Sequence, residues 1–82
     1  MTYKIQIRKA ALKFIQKQNP AQQKRIFSAI YKLPAGDDIK KMQGMPGVLR
    51  LRVGDYRILY TIDNGNLIIE VIDAGNRGDI YK

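Results

Sequence analysis

The pattern of apolar and polar residues between positions 48 and 73 predicts three consecutive β-strands. This stretch reads VLRLRVGDYRILYTIDNGNLIIEVID, and its alternation is interrupted at Gly54-Asp55 and again at Asn64-Gly65. Alternation with a period of two is typical of half-buried strands. An Asn-Gly pair is a strong hairpin signal because both central residues of a type I′ turn need positive φ. We therefore predict an antiparallel meander with two tight turns.

The positions of the turns set the predicted register of the strands. Two-residue loops place Arg52 opposite Arg57 in the first hairpin and Tyr60 opposite Ile69 in the second. Since successive side chains point to opposite faces of a sheet, one face collects only apolar residues and tyrosines. We expect this face to form the core, and its members are Leu49, Leu51, Val53, Tyr56, Ile58, Tyr60, Ile62, Leu67, Ile69 and Val71.

The opposite face of the predicted meander is basic. We call it the arginine face, after Arg50, Arg52 and Arg57; it is also predicted to carry Leu59, Ile72 and, as its only acid, Glu70. Like charges directly opposite one another destabilise a sheet, so the cluster needs a reason other than stability. A polyanionic ligand is one such reason. The alternative is that the arginines are only the solvated side of a half-exposed sheet. We expect Glu70 to be an ion-pair partner of Arg50 or Arg57 rather than a catalytic acid.

The first half of the chain predicts one strand and two helices. Residues 3–8 alternate as a strand, and from residue 9 to 17 the apolar residues fall at helical spacing. Asn19 is a favourable N-cap and Pro20 a favourable first helical residue, so a second helix is expected from there to about Leu33. Pro34-Ala35-Gly36 ends it. Residues 37–47 have no clear period, and we expect a surface loop.

These elements predict an α+β fold in the order β-α-α-β-β-β. A two-helix hairpin would pack on the apolar face of an antiparallel sheet, with the first strand at one of its two edges. A chain of 82 residues has room for one domain, spanning residues 1–82.

The net charge of +8 is concentrated in the first half of the chain. Residues 1–36 contain eight basic residues and no acid, whereas residues 37–82 contain seven of each. This asymmetry indicates nucleic acid, an acidic protein or an anionic surface as a partner; a basic face that only aids solubility is the alternative. Without cysteine or histidine the usual zinc ligand sets and His- or Cys-based catalysis are absent. No signal peptide or long apolar run is present, so we expect a cytoplasmic protein without a membrane partner or cofactor.

The candidate chemistry is that of phosphate. The segment after the third strand, AGNRGDIYK, would bring Arg77 and Tyr81 beside the arginine face. Arginine presents a planar fork that matches phosphate oxygens, but it is a poor general base, which leaves tyrosine as the nearby proton-transfer candidate. Such a set suits cleavage of RNA, in which the neighbouring 2′-hydroxyl is the nucleophile. DNA has no such internal nucleophile.

The run from GMPG through LRLRVGDYRILYTI to EVIDAGNRGDIYK resembles the C-terminal half of the RelE/ParE superfamily of type II toxin–antitoxin toxins. The preceding strand and two helices match the order of that family, so the resemblance covers essentially the whole chain. In the RelE branch it implies a metal-independent, ribosome-dependent endoribonuclease that cuts mRNA, leaving a 2′,3′-cyclic phosphate and a 5′-hydroxyl. Carried over by motif, Arg57 and Arg77 would hold the phosphate, Arg50 and Arg52 would add charge stabilisation, and Tyr81 would stack or transfer a proton.

The resemblance also implies partners and an alternative. The partners are a cognate acidic antitoxin, the ribosome with its mRNA, and operator DNA through the antitoxin complex. Many relatives have lysine at one or both positions matching Arg50 and Arg52, and histidine or lysine at the position of Asn76; both departures bear on proton transfer. The alternative is the ParE branch, whose members share the fold but poison DNA gyrase. Retention of the four arginines and Tyr81 favours the RNA branch.

Overall fold

Two helices and five strands are formed by the residues that the computed structural model describes, 2–36 and 38–76. In chain order they are β1 Lys4–Ile7, α1 Lys9–Gln16, α2 Pro20–Tyr31, β2 Ile39–Lys41, β3 Leu49–Val53, β4 Tyr56–Asp63 and β5 Ile68–Asn76. The predicted α+β class and element order are confirmed, with β2 as an addition. No helix in the described ranges is long and apolar enough to cross a membrane.

The start of α2 follows the predicted capping chemistry. The backbone N–H of Gln22 donates to Asn19 Oδ1 at 2.9 Å, which satisfies one of the unpaired amides at the helix N-terminus. Pro20 occupies the first turn, where a missing N–H costs nothing. The helix ends at Tyr31, two residues before the expected Leu33.

The strands form one sheet in the order β1-β5-β4-β3-β2. The first hairpin has the predicted register, with Arg52 opposite Arg57 and Leu51 opposite Ile58. β1 lies at the edge beside β5 and runs parallel to it, so the sheet is mixed rather than entirely antiparallel. The sequence did not determine at which edge of the sheet β1 would lie.

The predicted register of the second hairpin is wrong by two residues. Ile62 pairs with Ile69, and the connection is a four-residue turn, 64–67, in place of the expected Asn64-Gly65 loop. The Asp63 carboxylate accepts hydrogen bonds from the backbone and side-chain nitrogens of Asn66 at 3.0 and 2.8 Å. An aspartate that binds the chain a few residues later favours a longer turn over the type I′ geometry. Leu67, predicted to be a core residue, instead lies in this turn with φ +55°.

A β-bulge then changes the faces of β5. Tyr60 pairs with Val71 but Leu59 pairs with Asp73, so Ile72 is the extra residue. Beyond the bulge Ala74 is buried in the core. Asp73, opposite Leu59, is brought to the arginine face instead of the predicted Ile72.

The loop prediction for residues 37–47 is wrong at β2. Ile39–Lys41 pairs antiparallel with β3, with Ile39 opposite Leu51. Ile39 is partly buried against the core, which gives this short strand an apolar anchor. Three residues are too few to show a period of two.

The core lies between the two helices and one face of the sheet. Both helices and every predicted apolar position of the meander except Leu67 contribute side chains to it. The fully buried residues of large volume are Tyr60, Ile15, Ile26, Ile30, Ile58, Ile69 and Val71. The other sheet face, away from the helices, carries the arginines.

Candidate nucleic-acid interface

Arg52 and Arg57 lie directly opposite one another on β3 and β4, on the sheet face that points away from the helices. The Cα atoms of directly opposed residues in an antiparallel pair are about 5 Å apart, and their side chains share a face. Arg52 is exposed and Arg57 is half-buried. Two guanidinium groups so placed can reach the oxygens of one phosphate.

Arg50 belongs to the same face, but it is buried and paired. Its residue surface is 9% exposed, and its Nη2 donates to Asp38 Oδ1 at 2.7 Å. The other carboxylate oxygen of Asp38 lies 3.9 Å from Arg52 Nε. Asp38 thus ties the deepest arginine of the face to the start of β2.

The position of Asp38 is fixed by the backbone as well as by its side chain. Its carbonyl oxygen accepts a hydrogen bond from the Arg52 N–H at 3.0 Å, just before β2 begins. Sequence reasoning missed this residue because it lay in a predicted loop. Its one signal was that Asp37-Asp38 are the first acids of the chain, twelve residues or more before the arginines.

The predicted ion pair of Glu70 with Arg50 or Arg57 is wrong. The shifted register places Glu70 opposite Thr61, and its carboxylate pairs with Arg8 Nη2 at 3.3 Å. The bulge brings the exposed Asp73 to the face instead, diagonal to Arg57. Asp73 Oδ1 accepts a hydrogen bond from the Ala74 N–H at 2.8 Å. Asp38 and Asp73 therefore offset part of the positive charge of the three arginines.

Leu59 gives the arginine face an apolar floor. It stands opposite Arg50 and is only 2% exposed, although it is not part of the core beneath the helices. Burial of this kind lowers the local dielectric beside the guanidinium groups, and charge–phosphate attraction is stronger where water is excluded.

Two tyrosines of the meander are packing residues, as predicted. Tyr60 is fully buried and its hydroxyl has no hydrogen-bond partner within the described residues, and this burial raises the pKa of its phenol. Tyr56 packs edge-on against Phe14 and donates to Gln18 Oε1 at 3.0 Å. Both point to the helix side of the sheet, so neither reaches the arginine face.

The predicted Arg77 and Tyr81 lie outside the described residues. β5 is described to Asn76, whose partner is Tyr56, one pair beyond the pair of Arg57 with Gly75. The roles assigned to Arg77 and Tyr81 stay predictions. Within the described ranges, no group of three or more acidic side chains is close enough to hold a metal ion.

Solved structures similar to this chain come from RelE toxins and their antitoxin complexes. A chain of the archaeal RelE–RelB complex from Pyrococcus horikoshii OT3 superposes with a TM-score of 0.79 at 26% identity, covering 96% of this chain and 99% of that one. A chain of the RelB–RelE complex from Methanococcus jannaschii has a TM-score of 0.72 and 26% sequence identity, covering 93% of this chain and 94% of that one. A chain of the intact E. coli RelBE complex has a TM-score of 0.73 and 22% sequence identity, covering 92% of this chain and 96% of that one, which shows a shared fold.

Sequence comparison points to the same superfamily. No curated protein sequence is similar enough to count as a match. The family model for the ParE toxin of the type II toxin–antitoxin system parDE matches residues 5–81, nearly the whole chain. This chain is therefore a type II toxin of the RelE/ParE superfamily, matched by the ParE toxin family model.

Proposed function

We propose that this toxin is a ribosome-dependent endoribonuclease that cleaves mRNA. The observation that carries the proposal is the pairing of Arg52 with Arg57 on the sheet face away from the helices. Like charges directly opposite one another destabilise a sheet, and a phosphate bound between the two guanidinium groups would relieve that repulsion. An RNA phosphate fits both the charge and the planar fork of arginine.

The reaction is attack of the RNA's own 2′-hydroxyl on the adjacent phosphorus. The new O2′–P bond forms as the P–O5′ bond breaks, which leaves a 2′,3′-cyclic phosphate on one fragment. The departing 5′-oxygen takes up a proton as the 2′-hydroxyl loses one. The arginines stabilise the additional negative charge of the pentacovalent phosphate, and no metal is required.

The role of each arginine in this proposal depends on how exposed its side chain is. Arg52 and Arg57 contact the phosphate, as does Arg77 if its predicted role holds. Arg50 is held by Asp38 and contributes positive potential from below rather than a direct contact. Tyr81 keeps its predicted role in stacking or proton transfer.

The relatives support the partner as well as the activity. The P. horikoshii and M. jannaschii structures are complexes of RelE with RelB, which supports a cognate antitoxin for this chain. An acidic antitoxin would complement the eight basic residues and absent acids of residues 1–36. We propose that the toxin acts on the ribosome and mRNA in the cytoplasm and meets operator DNA only within the antitoxin complex.

Cleavage on programmed ribosomes tests this function. Purified toxin should produce mRNA 5′ ends at defined codon positions, and Arg57→Ala should reduce the rate by at least a hundredfold, because about 2.7 kcal/mol of transition-state stabilisation is typical for one oxyanion contact. Lys13→Ala, an exposed change on α1, is the matched control and should cleave normally. Intact mRNA with a demonstrably folded wild-type toxin would exclude the proposal.

Gyrase poisoning is the second candidate. Two observations favour it: the family model that matches is that of a ParE toxin, and one of the three arginines is committed to Asp38. This candidate predicts inhibited supercoiling or trapped cleavage complexes with purified gyrase while mRNA stays intact. The opposite pair of results selects the nuclease.

A further inference from the structure

A second basic surface lies on the helix side of the sheet, at the end of β3 that β2 leaves uncovered. It is a groove of about 750 Å³ between α2 and the turn joining β3 to β4. We call it the basic groove, after the four cationic residues that line it: Lys24, Arg25, Lys32 and Arg52.

The sequence of α2 builds one wall of the basic groove. Lys24, Ser28 and Lys32 follow one another at intervals of four residues, so they lie on one stripe of the helix or its C-cap, and all three are exposed. Between the charged side chains the lining includes several small residues, among them Ala29 and Gly36. Small side chains keep the groove open between long cationic ones.

Arg25 lies across the groove against the turn. A Cβ atom added at Gly54 would be 3.0 Å from Arg25 Nη1 and 3.2 Å from its Cζ, so the guanidinium group covers the backbone of Gly54. Gly54 has φ +58°, a conformation that favours glycine. The Arg25 guanidinium therefore lies beside the β3–β4 turn, and both Arg25 and Gly54 line the groove.

The charges of the basic groove are poorly balanced. Among the residues that the structure describes, Asp38 is the acid that lines the groove, and its carboxylate already pairs with Arg50 at 2.7 Å. The three cations of α2 and its C-cap, with Arg52 at the edge of the groove, outnumber this shared carboxylate, and the positive potential costs stability unless an anion neutralises it. The groove therefore fits an extended anion.

The lining favours a phosphate chain over an acidic protein segment. Protein interfaces depend on large apolar or aromatic anchors at their centre. The larger apolar residues of the groove, Leu51 and Val53, are only 3% and 6% exposed, and the large exposed hydrophobics Tyr31 and Met45 do not line it. Phosphate contacts need only charge and hydrogen-bond donors.

Arg52 connects the two surfaces: its position on β3 puts its side chain on the arginine face, and the same residue lines the edge of the basic groove. We propose that the basic groove binds RNA phosphates beyond the one held on the arginine face, so that one strand passes around the open end of β3. This inference rests on the proposed RNA-cleaving function in that it takes RNA as the ligand. The phosphates could come from the mRNA itself or from ribosomal RNA.

The test is binding of a labelled 2′-O-methyl oligoribonucleotide, which cannot be cleaved, measured by fluorescence anisotropy over a range of salt concentrations. The groove variant is Lys24→Gln/Arg25→Gln/Lys32→Gln. The control variant is Lys9→Gln/Lys13→Gln/Lys17→Gln, which removes the same charge from exposed positions of the other helix and its C-cap. Circular dichroism verifies that both variants are folded.

We expect the groove variant to bind at least tenfold more weakly than wild type and the control less than threefold. The slope of log K against log salt should fall by about 2 in the groove variant, since each lost phosphate contact removes about 0.7 for a single strand. Equal losses in the two variants, both in oligonucleotide binding and in ribosome binding, would overturn the proposal. So would normal RNA binding by the groove variant together with weakened binding of a poly-glutamate peptide.

Co-sedimentation with ribosomes separates the two sources of phosphate. A groove variant that loses oligonucleotide binding supports contact with mRNA, and one that loses only ribosome binding, relative to the control, supports contact with ribosomal RNA. Since the oligonucleotide is not cleaved, the groove is tested independently of catalysis. Groove-dependent binding without mRNA cleavage would refute the nuclease alone, and mRNA cleavage with both variants binding alike would refute the groove alone.

Discussion

Removing the charge of Asp38 should destabilise the domain more than removing any exposed ion pair. In Asp38→Asn the side chain keeps its size and one oxygen, but the Arg50 guanidinium stays in place without a counter-ion. The Arg50 side chain is 10% exposed and that of Asp38 42%, with 2.7 Å between Nη2 and Oδ1. Breaking a buried pair costs about 3–5 kcal/mol and a surface pair contributes about 0–1, so a half-buried pair indicates about 2 kcal/mol.

Urea unfolding measures this loss. With a slope of about 1 kcal/mol per molar urea, typical of small domains, the midpoint of Asp38→Asn should fall by about 2 M. Glu70→Gln is the matched control. It breaks the ion pair between Arg8 Nη2 and Glu70 Oε1, which are 3.3 Å apart on side chains that are 58% and 36% exposed. We expect a loss of less than about 0.5 kcal/mol in the free energy of unfolding.

A double-mutant cycle isolates the interaction itself. Arg50→Met removes the buried charge, so adding Asp38→Asn to it should cost little, giving a coupling energy of about 1–2 kcal/mol. A midpoint for Asp38→Asn no lower than that for Glu70→Gln would refute the argument that Asp38 holds Arg50 in the sheet.

Three further changes test other parts of the structure. Burial raises the pKa of Tyr60, so its phenol ionises at a higher pH in the folded protein than in the unfolded chain. The stability that the neutral phenol contributes is therefore complete below about pH 10 and is lost as the pH rises further. Tyr60→Phe should reduce the alkaline loss of unfolding free energy between pH 9 and 11; an unchanged pH profile would argue against this. Asn19→Ala removes the cap of α2 and should cost about 1 kcal/mol in urea, whereas no loss would contradict the capping role. Gly54→Ala should cost about 1–2 kcal/mol through its positive φ and its approach to Arg25, and a melting temperature equal to wild type would disprove that strain.

The first hairpin could be predicted because its register depends on local signals alone. A two-residue turn at Gly54-Asp55 and the alternation on both sides leave one pairing that gathers the alternating apolar side chains on one face. The opposition of Arg52 and Arg57 follows from that pairing, and so does the arginine face.

The second hairpin shows where such reasoning fails. Asn64-Gly65 has the composition of a two-residue turn, but the Asp63 carboxylate binds Asn66 and lengthens the loop. The bulge opposite Leu59 and Tyr60 then puts Asp73 opposite Leu59 and buries Ala74 in the core, and no local sequence signal predicts it. A shift of two residues preserves the faces, which explains why the core was largely right despite the wrong register.

Tertiary contacts account for the rest of the site. Asp38 reaches Arg50 only because β2 docks on β3, and Arg25 reaches Gly54 only because α2 packs beside the β3–β4 turn. Neither contact has a spacing in the sequence that would reveal it. The basic half of the chain was visible from composition, but its gathering into a groove was not.

The most direct test of the central claim is cleavage of an mRNA that carries a single 2′-deoxy nucleotide at the mapped cleavage position, on programmed ribosomes. If the arginine face stabilises attack by the 2′-hydroxyl, the all-ribose mRNA should be cut and the substituted mRNA should remain intact at that position. Cleavage of both at equal rates, or of neither by folded toxin, would contradict the account.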